Sequence, residues 1–534
     1  MNRVFCTYSA GDVLFMHRLT CHGSLPNVSN KSRTIWKGGE RYCMVPEIDW
    51  LKKKTDRLTS WVRWSCLCIK NSLSQKICPR LIFSCQKGDL EGRKQEEIVL
   101  SRKPNFVVMF LDDSGWADFR PFGETKYPTP NVERLAEGGC CYHQFYVPQA
   151  ICSASRASLL TGCYPGRHKV YGAIPPRARG LDPSFLTIAQ VLKPAGYTTG
   201  VFGKWHIGDY EETRPPAKGF DESSGLMYSN DMWKHHPQSR NFDKFELQFW
   251  KNDEIEIDDV TPEQQRNLTT WYAEHSVDFI ERNADNPFFL YVPHNMPHVP
   301  LFCSDKFEGK SGEGLYADVM MEIDWSVGQI MDVLERKGVA NDTVFVFTSD
   351  NGPWVSYGNH AGYTPYREAK GTGFDGGTRS ACVIRYPNGI PAGQRSDQAF
   401  CSVDLLPTFA KLAGAELPDY KIDGVDVYDI ITCQPDATNP HEYYPVSTGR
   451  NFDGVVSGDG KWKLHLPHSY RTLVRAGDDG EPGEYETANI KLSLFDMEND
   501  PYETTNVIDQ HPEIAQKLQA WAENHRDRWW VEKN

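Results

Sequence analysis

From Lys103 onward, short apolar runs alternate with longer stretches in which apolar positions recur every three or four residues. The runs Asn105-Phe106-Val107-Val108-Met109-Phe110-Leu111, Phe288 to Val292, Thr343 to Thr348 and Ala381 to Arg385 predict strands buried on both faces. Between them, Leu186 to Ala195, Thr270 to Arg282, Leu315 to Arg336 and Val403 to Ala413 predict helices. Strands that cross over through helices assemble a largely parallel sheet covered by those helices, so the class is α/β. After about Gly424 the pattern shortens. Tyr444 to Thr448, Gly454 to Gly458, Trp462 to Leu466 and Leu492 to Phe495 predict short strands joined by Gly and Pro turns, and Pro512 to His525 predicts one amphipathic helix. A small antiparallel sheet closed by a helix is the economical arrangement for that region.

The first 100 residues follow neither period, and their composition differs from the rest. They carry 17 Lys and Arg against 9 Asp and Glu, whereas the whole chain has 58 against 71 and a net charge of −13. They also hold seven of the 15 cysteines: Cys6, Cys21, Cys43, Cys66, Cys68, Cys78 and Cys85. No pair among these keeps the usual zinc-site spacing. Residues 1–100 are therefore expected to be a poorly ordered extension outside any domain, as upstream sequence included through a misplaced start site would be. The 534 residues exceed what one core usually supports, so two structural units are expected beyond that extension. The acidic balance argues against nucleic acid or an anionic membrane surface as a partner. No apolar run reaches the roughly 18 residues of a transmembrane helix. The N-terminus shows no basic region followed by an apolar core, hence no recognisable signal peptide.

Candidate chemistry gathers where strands end. Asp112-Asp113 follow the strand ending at Leu111, and Asp350-Asn351 follow the strand ending near Ser349. In open parallel sheets, ligands collect beyond the carboxyl ends of strands, so two pairs distant in sequence can meet at one edge. Three carboxylates and an amide oxygen form a hard, oxygen-only donor set that suits Ca²⁺ or Mg²⁺ rather than zinc. Either pair alone is more simply a cap on the following turn. Both together favour a metal, because converging carboxylates repel unless compensated. Other elements are Cys152-Ser153-Ala154-Ser155-Arg156 with Leu159-Leu160-Thr161-Gly162, Gly203-Lys204-Trp205-His206, and Pro293-His294-Asn295-Met296-Pro297-His298 after the strand from Phe288. Lys370-Gly371 through Arg379 and Gly225 to Met232 complete the set. Each has a plainer reading by itself: a buried thiol, a solvated Lys-His pair, a flexible glycine loop.

Taken in order, these elements resemble the type I, formylglycine-dependent sulfatases, in the branch of arylsulfatase A and N-acetylgalactosamine-6-sulfatase. The Cys152 motif matches the family's maturation signal, with Ala154 where most members have Pro and Asp375 where Glu is commoner. Leu494 to Asn506 resembles the family's C-terminal subdomain. The resemblance implies an alkaline-phosphatase-like fold: a large mixed, mostly parallel sheet flanked by helices over 101–430 as the catalytic domain, and a C-terminal α+β subdomain over 431–534. It implies that a formylglycine-generating enzyme oxidises Cys152 to an aldehyde whose hydrate offers two hydroxyls, one to attack sulfur and one to release product. Asp112, Asp113, Asp350 and Asn351, with the modified Cys152, would hold calcium. Arg156 would hold the nucleophile, Lys204 and Lys370 the sulfate, and Ser229 would reach the sulfate as well. His298 would protonate the leaving alcohol, and His206 would assist the release of product. Counting from Pro287 puts the catalytic histidine at His298 and leaves His294 behind it or on the substrate side, both within the titrating range of a general acid. Arg379 would be structural. The loops Met227 to Trp250 and Cys303 to Gly314 would shape the leaving-group pocket. The implied reaction is hydrolysis of sulfate monoesters, aryl or carbohydrate, in a periplasmic or secreted protein. Two alternatives stay open: a phosphonate monoester hydrolase or phosphodiesterase of the same superfamily, and a sulfated-glycan binding protein whose Cys152 is never matured.

Overall fold

All seven residues of the strand Asn105–Leu111 are buried. Its side chains alternate between two layers, as a period of two requires. Val107, Met109 and Leu111 join one apolar core with helices Pro130–Glu137, Leu268–Asn283 and Leu315–Arg336. Phe106, Val108 and Phe110 join the other, with Cys152–Thr161, Ile188–Leu192 and Leu405–Ala413. A strand covered on both faces has no polar side to present, which explains its apolar sequence from Phe106 to Leu111.

These features come from a computed structural model, which describes residues 102–531 and, ahead of them, the backbone of six short strands between Val4 and Cys85. The chain divides into two compact units, Met1–Ser101 and Arg102–Asn534. In the first, the strands pair antiparallel as two three-stranded sheets. The extension expected over 1–100, with its cysteines, otherwise lies outside the described residues.

In the second unit an 11-stranded sheet runs in the order Glu254–Ile257, Phe249–Lys251, Glu222–Leu226, Thr198–Lys204, Phe288–Val292, Asn105–Leu111, Thr343–Ser349, Arg379–Arg385, Cys140–Tyr146 and Gln394–Ser396. Phe400–Cys401 also pairs with Cys140–Tyr146. The five strands from Glu222–Leu226 to Thr343–Ser349 are mutually parallel. Arg379–Arg385 and the strands at the other edge bring antiparallel pairing, so the sheet is mixed but mostly parallel at its centre. Register decides what meets at the edge. Thr343 pairs with Asn105 and Ser349 with Leu111, so the two chains leave the sheet side by side at Asp350 and Asp112.

A close approach between backbones accompanies this packing. Gly203 has φ 146°, and a Cβ there would lie 2.1 Å from the Pro293 carbonyl oxygen. Only glycine lets the strand carrying Lys204 lie so near the strand that leads to His298. Asp324, on the long helix Leu315–Arg336, accepts from the backbone N–H groups of Asn131 and Val132 at 2.9 Å, capping the helix Pro130–Glu137 from a distance.

The C-terminal region forms a four-stranded antiparallel sheet, Tyr443–Thr448, Asn451–Ser457, Trp462–His465 and Ser493–Asp496. The helix Pro512–Trp529 covers it through Ala515, Leu518 and Ala522. A hairpin not predicted from the sequence, His468–Arg475 with Glu484–Ile490, stands apart from that sheet. Its residues are largely polar and partly exposed, so no apolar alternation marked them.

Candidate active site

Beyond the carboxyl ends of the central strands, ionisable side chains collect in a buried cluster. Asp112, Asp113, Arg156, Lys204, His206, His298, Asp350 and Lys370 are all buried. Such density is sustainable only if the charges compensate one another. Three carboxylates face three cations. Lys204 Nζ pairs with Asp112 Oδ2 and lies 2.9 Å from Ser229 Oγ. Lys370 Nζ lies 2.6 Å from Asp113 Oδ2. Arg156 donates through Nε and a terminal nitrogen to Asp350 Oδ2 at 3.0 and 2.8 Å, and through the other to the Lys204 carbonyl at 2.9 Å.

Cys152 is the first residue of the helix Cys152–Thr161. A short loop from the strand Cys140–Tyr146 leads into that helix, whose orphan N–H groups favour anions nearby. Cys152 Sγ sits 3.5 Å from Asp112 Oδ1 and 3.7 Å from Lys370 Nζ. Burial first, and the Asp112 charge second, push this thiol well above its ordinary range. An unmodified Cys152 is therefore held neutral, unlike the lowered thiolates of cysteine nucleophiles.

Ligand atoms of Asp112, Asp113, Cys152 and His298 all lie within 4.8 Å of one another. Asp350 lies beside this group rather than within it, its Oδ1 accepting the Asp113 backbone N–H at 3.2 Å, and Asn351 Nδ2 donates to Asp113 Oδ1 at 2.7 Å. That leaves Asn351 Oδ1 buried with no partner. Carboxylate and amide oxygens with an orphaned acceptor among them fit a hard divalent cation. Burial pushes the Asp350 carboxyl up, with Asp112 adding to it. Against the same burial, Lys204, His298 and Arg156 hold Asp112 well below the usual carboxylate range. Asp113 and His206 take left-handed backbone conformations, φ 64° and 58°. For non-glycine residues such strain costs about 1–3 kcal/mol and clusters at functional sites.

The histidines divide. His298 Nε2 is 3.5 Å from Asp113 Oδ2, its Nδ1 is 2.5 Å from the Val299 carbonyl, and its ring meets Trp354 edge-on at 5.4 Å. His206 Nε2 contacts the Ile174 carbonyl at 3.0 Å, and Nδ1 is buried without a partner. His294 departs from the sequence reading. It turns away from the pocket, with Nε2 3.1 Å from Ser326 Oγ and its ring near Tyr272. Burial drives its pKa down to about 3, outside the general-acid range expected of it. Burial and then Lys370 lower His298 as well.

Sequence reasoning passed over three features. Asp231, next to Ser229 in the segment Gly225 to Met232, has one carboxylate oxygen buried without a partner. Burial raises its pKa but His298 and Ser229 prevail, leaving it below its ordinary value. Trp354 lies 4.4 Å from Lys370 Nζ across its ring face. Glu503 and Lys463 reach from the C-terminal region to Asp375, behind the Lys370 loop. The only signals were places in resembling segments, Gly225 to Met232 for Asp231 and Leu494 to Asn506 for Glu503; Trp354 carried none. Arg379 bonds the His143 carbonyl and Asp375, away from the pocket.

The chain is similar to known proteins over most of its length. The sulfatase family model matches residues 104–415. Arylsulfatase A of Bos taurus is 34% identical over 446 residues, covering 78% of this chain and 86% of its own. N-acetylgalactosamine-6-sulfatase of Mus musculus is 35% identical over 404 residues, covering 71% and 76%. Among solved structures, the PsFucS1 sulfatase from Pseudoalteromonas sp. superposes with a TM-score of 0.73 at 24% identity, over 81% of this chain and 92% of that one.

Proposed function

The chain belongs to the sulfatase family and is a sulfatase enzyme, and from that premise we propose that it hydrolyses carbohydrate sulfate monoesters through a formylglycine made from Cys152, beside a calcium ion. The carrying observation is the meeting of Asp112, Asp113 and Cys152 with Lys204, Lys370 and His298 in one buried pocket. Asp112, Asp113, Asp350 and Asn351 would hold the cation, and magnesium fits the same donors. Bound there, a divalent ion draws charge from the sulfate oxygens. The hydrated aldehyde supplies one hydroxyl for attack on sulfur and a second for release of the product.

The remaining residues bind, orient and move protons. Asp112, Asp113 and Asp350 balance Arg156, Lys204 and Lys370, and with Asp231 counted as well an added divalent cation still leaves the pocket positive toward a sulfate monoanion. Lys204 is fixed by Ser229 and can grip one sulfate oxygen, and Lys370 can grip another beside Cys152. His298, held by the Val299 carbonyl, would give the leaving oxygen its proton. His206 has Nδ1 free to accept one. Arg156 keeps Asp350 and Asp112 aligned behind the nucleophile. The unpartnered oxygen of Asp231 is a ready acceptor for a hydroxyl beside the sulfated one, which favours a polyhydroxylated alcohol over a simple aryl ester. The matched relative N-acetylgalactosamine-6-sulfatase is named for a sugar substrate, which supports the same preference. A formylglycine-generating enzyme is then a required partner, and a periplasmic or secreted location follows from the same family reading. No helix of the described residues is long and apolar enough to cross a membrane.

Two measurements test this together. Peptide mass spectrometry on protein made with a maturation enzyme should find the Cys152 peptide lighter by roughly 18 Da, as replacing the thiol by a carbonyl requires. Matured protein should then turn over sulfated sugars faster than phosphodiesters. A retained thiol would turn the reading toward glycan binding, and a phosphodiester preference would overturn the assignment to sulfate.

A further inference from the structure

Two thiols meet at the opposite end of the strand that feeds the nucleophile. Cys140 opens the strand Cys140–Tyr146 and is fully buried. Cys433 follows the short helix Tyr428–Ile431, is half-buried, and has a left-handed φ of 54°. Their sulfurs are 3.2 Å apart although 293 positions separate them. The Tyr142 hydroxyl, on the same strand, donates to the Ile431 carbonyl at 2.5 Å. Beyond Cys433 the chain forms no helix or strand until Tyr443, where the C-terminal sheet begins. Side-chain bonds hold this crossing: Gln398 to the Ala437 carbonyl at 3.2 Å and Asn439 to the Ala399 carbonyl at 2.6 Å.

Buried cysteines usually serve as small hydrophobes with no polar partner. This pair instead places sulfur against sulfur, roughly 1 Å beyond the ~2.05 Å of a disulfide bond. The bridging residue sits in a turn at the surface, where small rotations are cheap. We propose that Cys140 and Cys433 form a redox dithiol that closes to a disulfide, fastening the crossing segment 428–442 to the main sheet.

The oxidant is itself a disulfide, either of a small thiol or of a dithiol oxidoreductase. The Cys433 thiolate attacks one of its sulfurs, breaks that bond and expels one thiolate. Cys140 loses its proton, attacks the Cys433 sulfur and expels the second. The pair gives up two protons and two electrons, and the oxidant leaves as two thiols. Exposure selects Cys433 as the first attacker, and so does acidity. Its contact with Cys140, with the Tyr142 hydroxyl adding to it, brings it down to about 7, whereas the contact with Cys433 together with burial pushes Cys140 far up.

The test uses the full chain. Protein exposed to oxidised glutathione is alkylated and digested without reductant, and the peptides are weighed. The expected result is one linked species containing Cys140 and Cys433 that reductant separates. The oxidised protein should melt higher than the reduced, and Cys433→Ser should melt alike in both conditions. Sulfate-ester turnover at ambient temperature should be equal in oxidised wild type, reduced wild type and Cys433→Ser, because neither thiol touches the pocket. Alkylation of both cysteines after oxidation, a glutathione adduct that remains on Cys433, or a link from Cys140 to the buried Cys382 of the neighbouring strand Arg379–Arg385 would each overturn the proposal. The mass result stands whether or not the variant folds.

Discussion

Replacing Glu503 by Gln tests whether the C-terminal sheet holds the Lys370 loop in place. Glu503 is fully buried, and three donors converge on its carboxylate. Oε2 accepts the backbone N–H of Asp375 at 2.8 Å, and Oε1 accepts from His465 Nε2 at 2.9 Å with Lys463 Nζ at 3.3 Å. Lys463 also bonds Asp375 Oδ1 at 2.7 Å, and Arg367 donates to the Glu503 carbonyl at 2.6 Å. Asp375 opens the short helix Asp375–Thr378 directly after the Lys370 loop, so these bonds tie that loop to strand Trp462–His465. Glutamine keeps the volume but turns an NH₂ toward a donor and removes the charge. One buried N–H or ammonium then loses its acceptor, at about 1–3 kcal/mol, and a weakened charge-assisted bond adds a similar amount. The expected destabilisation is about 3 kcal/mol. Urea unfolding followed by tryptophan fluorescence should show a lower midpoint at unchanged slope. Turnover of a sulfate ester should fall about 10-fold as Lys370 loses its register with Cys152. An unfolding free energy within about 0.5 kcal/mol of wild type, the usual range of a neutral surface change, would refute the reasoning.

Lys204→Ala should reduce kcat by about 10²–10³-fold, the usual effect of deleting a preorganised charge, while circular dichroism stays unchanged. Ser229→Ala removes one bond to that lysine, so about 10-fold is expected in the same assay, and a loss equal to that of Lys204→Ala would contradict the order of roles. A chelator should abolish turnover, and calcium should restore it more fully than zinc, as read from the donors. Stability should fall with acid through His294. Its folded pKa of about 3 lies below the ordinary 6.5, so the unfolded chain takes up the proton first. The stabilisation present above pH 6.5 is then lost as pH falls toward 3, by roughly 4 kcal/mol. His294→Gln should flatten that acid limb in denaturant titrations at stepped pH, and an unchanged slope would show that this ring is not held neutral.

Much of the fold was legible because its central strands are buried on both faces. Asn105–Leu111 and Phe288–Val292 coincide with the apolar runs, and Leu315–Arg336 with the helical period. The strand Cys140–Tyr146 was not, since Gln144 and His143 interrupt its apolar pattern near the sheet edge. The hairpin from His468 to Ile490 escaped for the same reason, its exposure leaving no alternation to read.

The candidate site was legible in its residue types but not in its geometry. A sequence can mark Asp112-Asp113 and Asp350-Asn351 as polar pairs at strand ends. What makes them one site is that Ser349 pairs with Leu111, and a slip of one residue would turn every side chain of that strand to the other layer. The apolar faces of Val107, Met109 and Leu111 against one helix layer, and Phe106, Val108 and Phe110 against the other, forbid that slip. Core packing therefore fixes the register, and the register fixes the site. The same logic separates the two histidines. His294 and His298 leave the same strand, but His294 follows its last residues closely enough to be drawn into the core beside Ser326 and Tyr272. His298 lies far enough along the loop to turn back to Asp113. Spacing from the strand end, rather than residue type, decides which of them reaches the buried carboxylates.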